Sequence, residues 1–348
     1  MKARLFKILL LILITITLLG LTMPVASSNS FVGGSPPISS SVNPLTGLPM
    51  EEYLTTRRPL AISISNTIAA LPSNGISKAD IIYEVLVESG ITRMLALYQD
   101  VSDVGLIGSI RSARHYTVSI AESHDAIFVS AGGSPQGYAE IEARGIPHLD
   151  EVAGRQSEMF YRDLNRIKGK TLLRYHSAVT TGALVTRWLP GYGFRLEHED
   201  GYVNALSFID NAVPVGGGSA TDVNVRFTTG NSSSFSYVAE RNIYYMSQFN
   251  MDLVDANDYS QPEFTNLLIL KTSVSPIPGD GAGRLDIITT GRGTGYFVNG
   301  GRYIEIEWYR PDKSSPFIYM NRDGSMLSLG RGKTYIGIIP LEMSATFE

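Results

Sequence analysis

Between Arg58 and Gly145 the chain alternates stretches that read as strands with stretches that read as helices, and no other feature limits its fold as much. "RPLAISIS" (58–65) alternates apolar and polar residues, and "IIYEVLVESGITRMLALYQ" (81–99) reads as two strands around a Ser89-Gly90 turn. "VGLIGSI" is strand-like. "RSARHYTVSIAESH" then puts Ala113, Tyr116, Thr117, Ile120 and Ala121 on one helical face, "DAIFVS" reads as a buried strand and "SPQGYAEIEARG" as a second helix. Strands alternating with helices predict an α/β fold, a layered α/β/α N-terminal domain over 43–195 with a mixed sheet and some parallel pairing. Pro190, Gly191 and Gly193 in "LVTRWLPGYGF" mark its exit. From Gly201 the pattern changes to short β-like runs such as "VNVRFTT", "LLILKT", "GRYIEIEWYR" and "KTYIGIIP", with "NRDG" as a hairpin turn between two of them. A mostly β C-terminal domain over 201–348 is expected.

The chain has 348 residues, enough to bury a large core in two domains of ordinary size. Its first 28 residues place Lys2, Arg4 and Lys7 before an uncharged apolar run from Ile8 to Val25, which reads as an export signal cleaved after Ser28 or kept as a membrane anchor. A Ser/Gly/Pro-rich stretch over 29–42 reads as a flexible tether. The mature part is therefore expected outside the cytoplasm, secreted or held at the membrane by the N-terminal segment. The absence of cysteine excludes disulfides, thiol catalysis and lipid attachment through an acylated cysteine. A net charge of -4 gives no footprint for a nucleic-acid partner. The five histidines show no metal-ligand spacing, "DGAGRLD" lacks the pattern of a calcium loop, and neither metal nor cofactor is expected. "HED" (198–200), beside a glycine, reads as a solvated turn.

Chemistry concentrates around "AGGSPQG". Ser134 follows a strand and precedes a helix, as a hydrolase nucleophile would, but the oxyanion hole of such an elbow uses the next backbone N–H, and Pro135 has none. Ser134 reads better as an N-cap with Pro135 at the first helical position and Gly132 and Gly133 making the turn. The same corner could hold an anion on backbone N–H groups. Arg111 and Arg114, one turn apart at the expected helix start, add charge that needs a negative partner there. Asp80, Glu84 and Glu88 are candidate internal partners, with Arg93 close in sequence. An anionic ligand held by Arg111, Arg114 and the Gly132–Ser134 turn, positioned by Glu84 and Arg93, is the expected site.

Taken in order, "NPLTGLP", "RPLAISISNT", "NGISKADIIYEVLVESGITRMLALYQ", "IGSIRSARHY", "AGGSPQG", "NGGRYIEIEWYR" and "NRDGSMLSLGRGKTYIGIIP" resemble the YerB-like family of bacterial cell-envelope proteins. The resemblance covers nearly all of the chain after the tether. It implies an exported, usually lipid-anchored, two-part protein with a layered α/β N-terminal domain, and carries no established activity. This chain departs from the family in lacking the lipidated cysteine, in placing Ser130 where the family tends to have His, and in placing "RYHS", with His176, where the family has Pro-His-Asn. The expectation is an envelope binding module for an anionic small molecule or cell-wall component. The alternatives are an enzyme on a cell-wall polymer, with Glu84, Glu88 or His176 as acid or base, and a scaffold for other envelope proteins. Trp308 and Tyr309 would anchor such a scaffold if they are not core.

Overall fold

Strands β1 (Leu60–Asn66), β2 (Ile81–Leu86) and β3 (Thr92–Tyr98) are buried along their whole length. This explains why "IIYEVL" and "TRMLALY" read as nearly continuous apolar runs, the pattern of strands covered on both faces. Between β2 and β3 the chain reverses at Ser89 and Gly90, with φ of 64° and 69°. In the computed structural model, which describes residues 41–153 and 156–348, β2 and β3 pair antiparallel and β3 pairs antiparallel with β1. The expected signal or anchor, and the tether up to residue 40, lie outside the described residues. Among these, no helix is long and apolar enough to cross a membrane.

The sheet continues from β1 through two parallel strands, β4 (Ile127–Ser130) and β5 (His148–Asp150). Helix α1 (His115–Glu122) precedes β4, and α2 (Pro135–Arg144) links β4 to β5. These crossovers follow the predicted alternation. α2 is capped as the sequence reads: Ser134 Oγ accepts the Gly137 N–H at 3.0 Å and Pro135 opens the helix. The other helix starts later than predicted. Arg111 lies in extended chain, its N–H donated to the Ser63 carbonyl at 2.8 Å, so Arg111 and Arg114 do not share a helical face. "VGLIGSI" is also displaced: Leu106–Gly108 pairs with Ala178–Thr181 in a small separate sheet.

The C-terminal segment is mostly β. β6 (Asp222–Thr228), β7 (Asn231–Val238) and β8 (Ile243–Gln248) form an antiparallel meander in a six-stranded sheet. β9 (Asn266–Thr272), β10 (Gly291–Asn299), β11 (Arg302–Arg310) and β12 (Thr334–Pro340) belong to the same eleven-stranded sheet as β1–β5. β12 is the join, parallel to β9 on one side and to β2 on the other. The segments 43–195 and 201–348, expected as two domains, therefore share one sheet. They also share a core. Arg310 of β11 is buried, and its guanidinium donates to the Ser119 carbonyl of α1 at 2.6 Å. Trp308 is core.

The two faces of the sheet are covered differently. Side chains alternate along a strand, and Val85, not Glu84, stands opposite Arg93 in the register of β2 and β3. Tyr83, Val85 and Arg93 therefore face the helices, where the Tyr83 hydroxyl lies 2.8 Å from His124 just beyond α1. Glu84 faces the six-stranded sheet.

Candidate functional site

The carboxyl ends of β1 and β4, the start of β3 and the approach to α1 meet at one end of the helix-covered face. Here Arg93, Arg111 and Arg114 come together. Arg114 is buried and fully engaged: Nε donates to Glu88 at 3.1 Å, Nη2 forms an ion pair with the same carboxylate, and Nη1 donates to the Ala113 carbonyl at 2.9 Å. Burial alone would raise the Glu88 carboxyl, but the hydrogen bonds and charge of Arg114 outweigh it and hold its pKa below the ordinary value. Arg93 is 2 % exposed and donates to the Ser112 carbonyl at 2.7 Å. Burial, followed by the charges of Arg114 and Arg111, pushes its pKa down to about 9. Arg111 is half-buried, donates to the Tyr175 carbonyl at 2.7 Å and lies 5.4 Å from the centre of the Tyr175 ring. Burial and then Arg114 lower its pKa as well.

Other sequence candidates are placed differently. Glu84 is fully buried on the opposite face and cannot position the arginines. Its two oxygens accept from Asn66 (2.9 Å), Thr92 (2.6 Å), Gln248 (2.8 Å), Ser233 (2.7 Å) and Tyr335 (2.7 Å). Gly337 stands directly opposite Glu84 on β12, and a Cβ there would come within 3.1 Å of the Tyr335 hydroxyl. Burial pushes the Glu84 pKa up against these five hydrogen bonds. Asp80 is also remote from the arginines, bonded to Asn43 and the Gln99 N–H.

The Gly132–Ser134 turn is less open than a ligand cradle requires. Gly132, with φ of 73°, donates its N–H to Asp150 at 2.8 Å, and the Ser134 N–H goes to the Ala113 carbonyl at 3.1 Å. Only the Gly133 N–H lacks a protein acceptor among the described residues. Ser130 is fully buried; its Oγ donates to the Gly132 carbonyl at 2.8 Å and lies 2.8 Å from His148 Nε2. Asp150 also accepts from the Tyr138 hydroxyl at 2.7 Å.

His176 does join the arginines. It is 5 % exposed, and its Nδ1 is buried with no hydrogen-bond partner. Burial, then Arg111, Arg166 and Lys170, lower its pKa to about 4, so it is neutral at physiological pH. Sequence reading passed over this last group, because the basic residues between Arg162 and Arg174 are spaced rather than consecutive. It also passed over Tyr138, His148 and Asp150, which carry no motif spacing; in "HED", Glu199 and Asp200 are exposed at a turn as read, whereas His198 lies 2.9 Å from Asp125 and stacks on Tyr202.

This two-part architecture and its motifs define a family. Residues 45–185 match the N-terminal domain, and residues 223–336 the C-terminal domain, of the protein of unknown function family DUF3048, and the chain belongs to that family. Among curated relatives, the Bacillus subtilis (strain 168) protein named "Putative lipoprotein YerB" is 30% identical over 301 residues, covering 85% of this chain and 86% of the relative. The crystal structure of YerB protein from Bacillus subtilis superimposes with a TM-score of 0.75 at 29% identity, over 88% of this chain and 99% of that one. The protein is thus an envelope-type, YerB-like protein. The sequence contains no cysteine.

Proposed function

We propose that the protein is an exported, extracytoplasmic binding module whose ligand is anionic, a small molecule or a cell-wall component carrying phosphate or carboxylate. The ligand is held at Arg93, Arg111 and Arg114. One observation carries this reading: among the described residues Arg93 and Arg111, both lowered by the charge of Arg114, have one carboxylate near them, Glu88, and its hydrogen bonds go to Arg114. Burying cations without counter-charge is costly, and an anion between Arg93 and Arg111 would offset that cost. Arg111 retains guanidinium nitrogens without a protein partner among the described residues, suited to bidentate binding. His176, neutral and with Nδ1 unpartnered, adds one more hydrogen-bonding group beside Arg111. The acid–base alternative lacks comparable support, because Glu84 is on the other face and Glu88 is engaged by Arg114.

The test is thermal unfolding of the exported part with inorganic phosphate, polyphosphate or soluble wall fragments, against chloride at matched ionic strength. At least one anion should raise the midpoint, and Arg111→Ala should lose most of that rise. An equal rise in the variant and the parent protein would overturn the reading.

A further inference from the structure

Beyond the edge strand β5 lies a cavity of about 700 Å³, within the range of small-molecule sites. Three rings, Tyr138, Tyr192 and Phe194, line it together with His148, Asp150 and Gln156. The hydrogen bonds already made around it fix what this lining can still do.

Ser130 Oγ has one proton, and it lies 2.8 Å from a carbonyl, Gly132, that can only accept. That proton therefore goes to Gly132, and the contact between Ser130 and His148 is made by an Nε2–H of the histidine. The other ring nitrogen, Nδ1, is left as an acceptor, with no protein partner among the described residues. Burial lowers the His148 pKa and so favours the neutral ring, against the charge of Asp150. Tyr138 gives its only proton to Asp150, so its oxygen too is left with lone pairs. Asp150 also accepts the Gly132 and Val152 N–H groups. Gln156 Oε1 accepts the Asp150 N–H, leaving its amide nitrogen as a donor.

The cavity thus presents hydrogen-bond acceptors, with one amide donor, between aromatic rings. We infer that it is a saccharide-binding site. A sugar ring supplies the hydroxyl donors those acceptors lack, and its C–H face packs against aromatic rings as an apolar surface. This site is separate from the arginine cluster and does not depend on it. Ser130 acts here as a positioning residue, through the tautomer of His148.

The probes are soluble tetramers of N-acetylglucosamine, glucose and mannose, titrated into the exported part of the chain by calorimetry. At least one should bind saturably. Tyr192→Ala, assayed well below its unfolding midpoint because the ring also packs against the core, should weaken it about tenfold, the size expected for one lost ring contact. Arg111→Ala should leave it unaltered, which separates this site from the anion site. Ser130→Ala removes the acceptor that fixes His148 and should weaken binding with the rings intact. Absence of saturable binding by all three tetramers, or unchanged affinity in Tyr192→Ala, would overturn the inference.

Discussion

Glu84 and Arg93 come from adjacent paired strands, one position apart in register, and both are buried, yet their surroundings are opposite. Glu84 has five neutral donors around one carboxylate and no cation bonded to it. Arg93 has one carbonyl, two neighbouring cations and, against them, only the charge of Glu88, whose hydrogen bonds go to Arg114. A buried charge whose hydrogen-bonding capacity is filled by the fold is a structural element. One left among like charges with its capacity unfilled is poised for something outside the chain. The difference arises because a one-residue step on a strand reverses the face, so one side chain meets the hydroxyls and amides of β7, β8 and β12 while the other meets the approach to α1.

The largest effect expected from breaking this contrast is on the Glu84 side. Glu84→Ala strands several buried donors at once and should destabilise the protein by about 3–5 kcal/mol in urea unfolding, without a specific effect on anion response. A loss below ~1 kcal/mol would mean that the network is not filled as described.

Acidification comes next. Burial holds His124 at about 3 and His176 at about 4, against 6.5 when unfolded. Below pH 6.5 the unfolded chain takes up protons that these folded imidazoles refuse, so stability is full above that pH and falls progressively towards pH 4. Glu84, with its pKa raised, and Asp80, raised by burial to about 6, work in the opposite direction, because the folded state binds their protons more readily. Substitution isolates the histidine share: across pH 7 to 4 the His124→Phe midpoint should fall less, or rise more, than that of the parent protein. Parallel pH profiles for His124→Phe and the parent protein would contradict the assignment.

The smallest effect is on the Arg93 side. Arg93→Met removes a buried charge and its repulsion with Arg111 and Arg114, and should change stability by no more than ~1 kcal/mol without anions, in the stabilising direction. The same variant should lose anion-induced stabilisation. A cost near that of Glu84→Ala would show that Arg93 is as structural as its neighbour.

Much of the fold was legible because it rests on local rules. The period of two in "RPLAISIS", the turn at Ser89-Gly90 and the Ser134-Pro135 cap are set by residues within a few positions of each other, and each forms as read. Of the site, Glu88 with Arg114 and the proximity of Arg111 were within reach, since a cation at a helix start calls for a carboxylate. The start of α1 was read four residues early because Arg111 has a good helix propensity that the bond to Ser63 overrides.

What the sequence determined by itself, then, is the alternation of strands and helices, the β-rich second half, the lack of thiol chemistry and the helix cap beside a left-handed glycine. Only the tertiary structure decided that β12 joins both segments in one sheet, that Glu84 and Arg93 face apart, that His176 meets Arg111, and that Ser130 orients His148 towards a cavity. Each of these depends on a pairing between residues far apart in the chain or on strand register. Neither leaves a local trace, because the same side chains would read identically if shifted by one position to the other face.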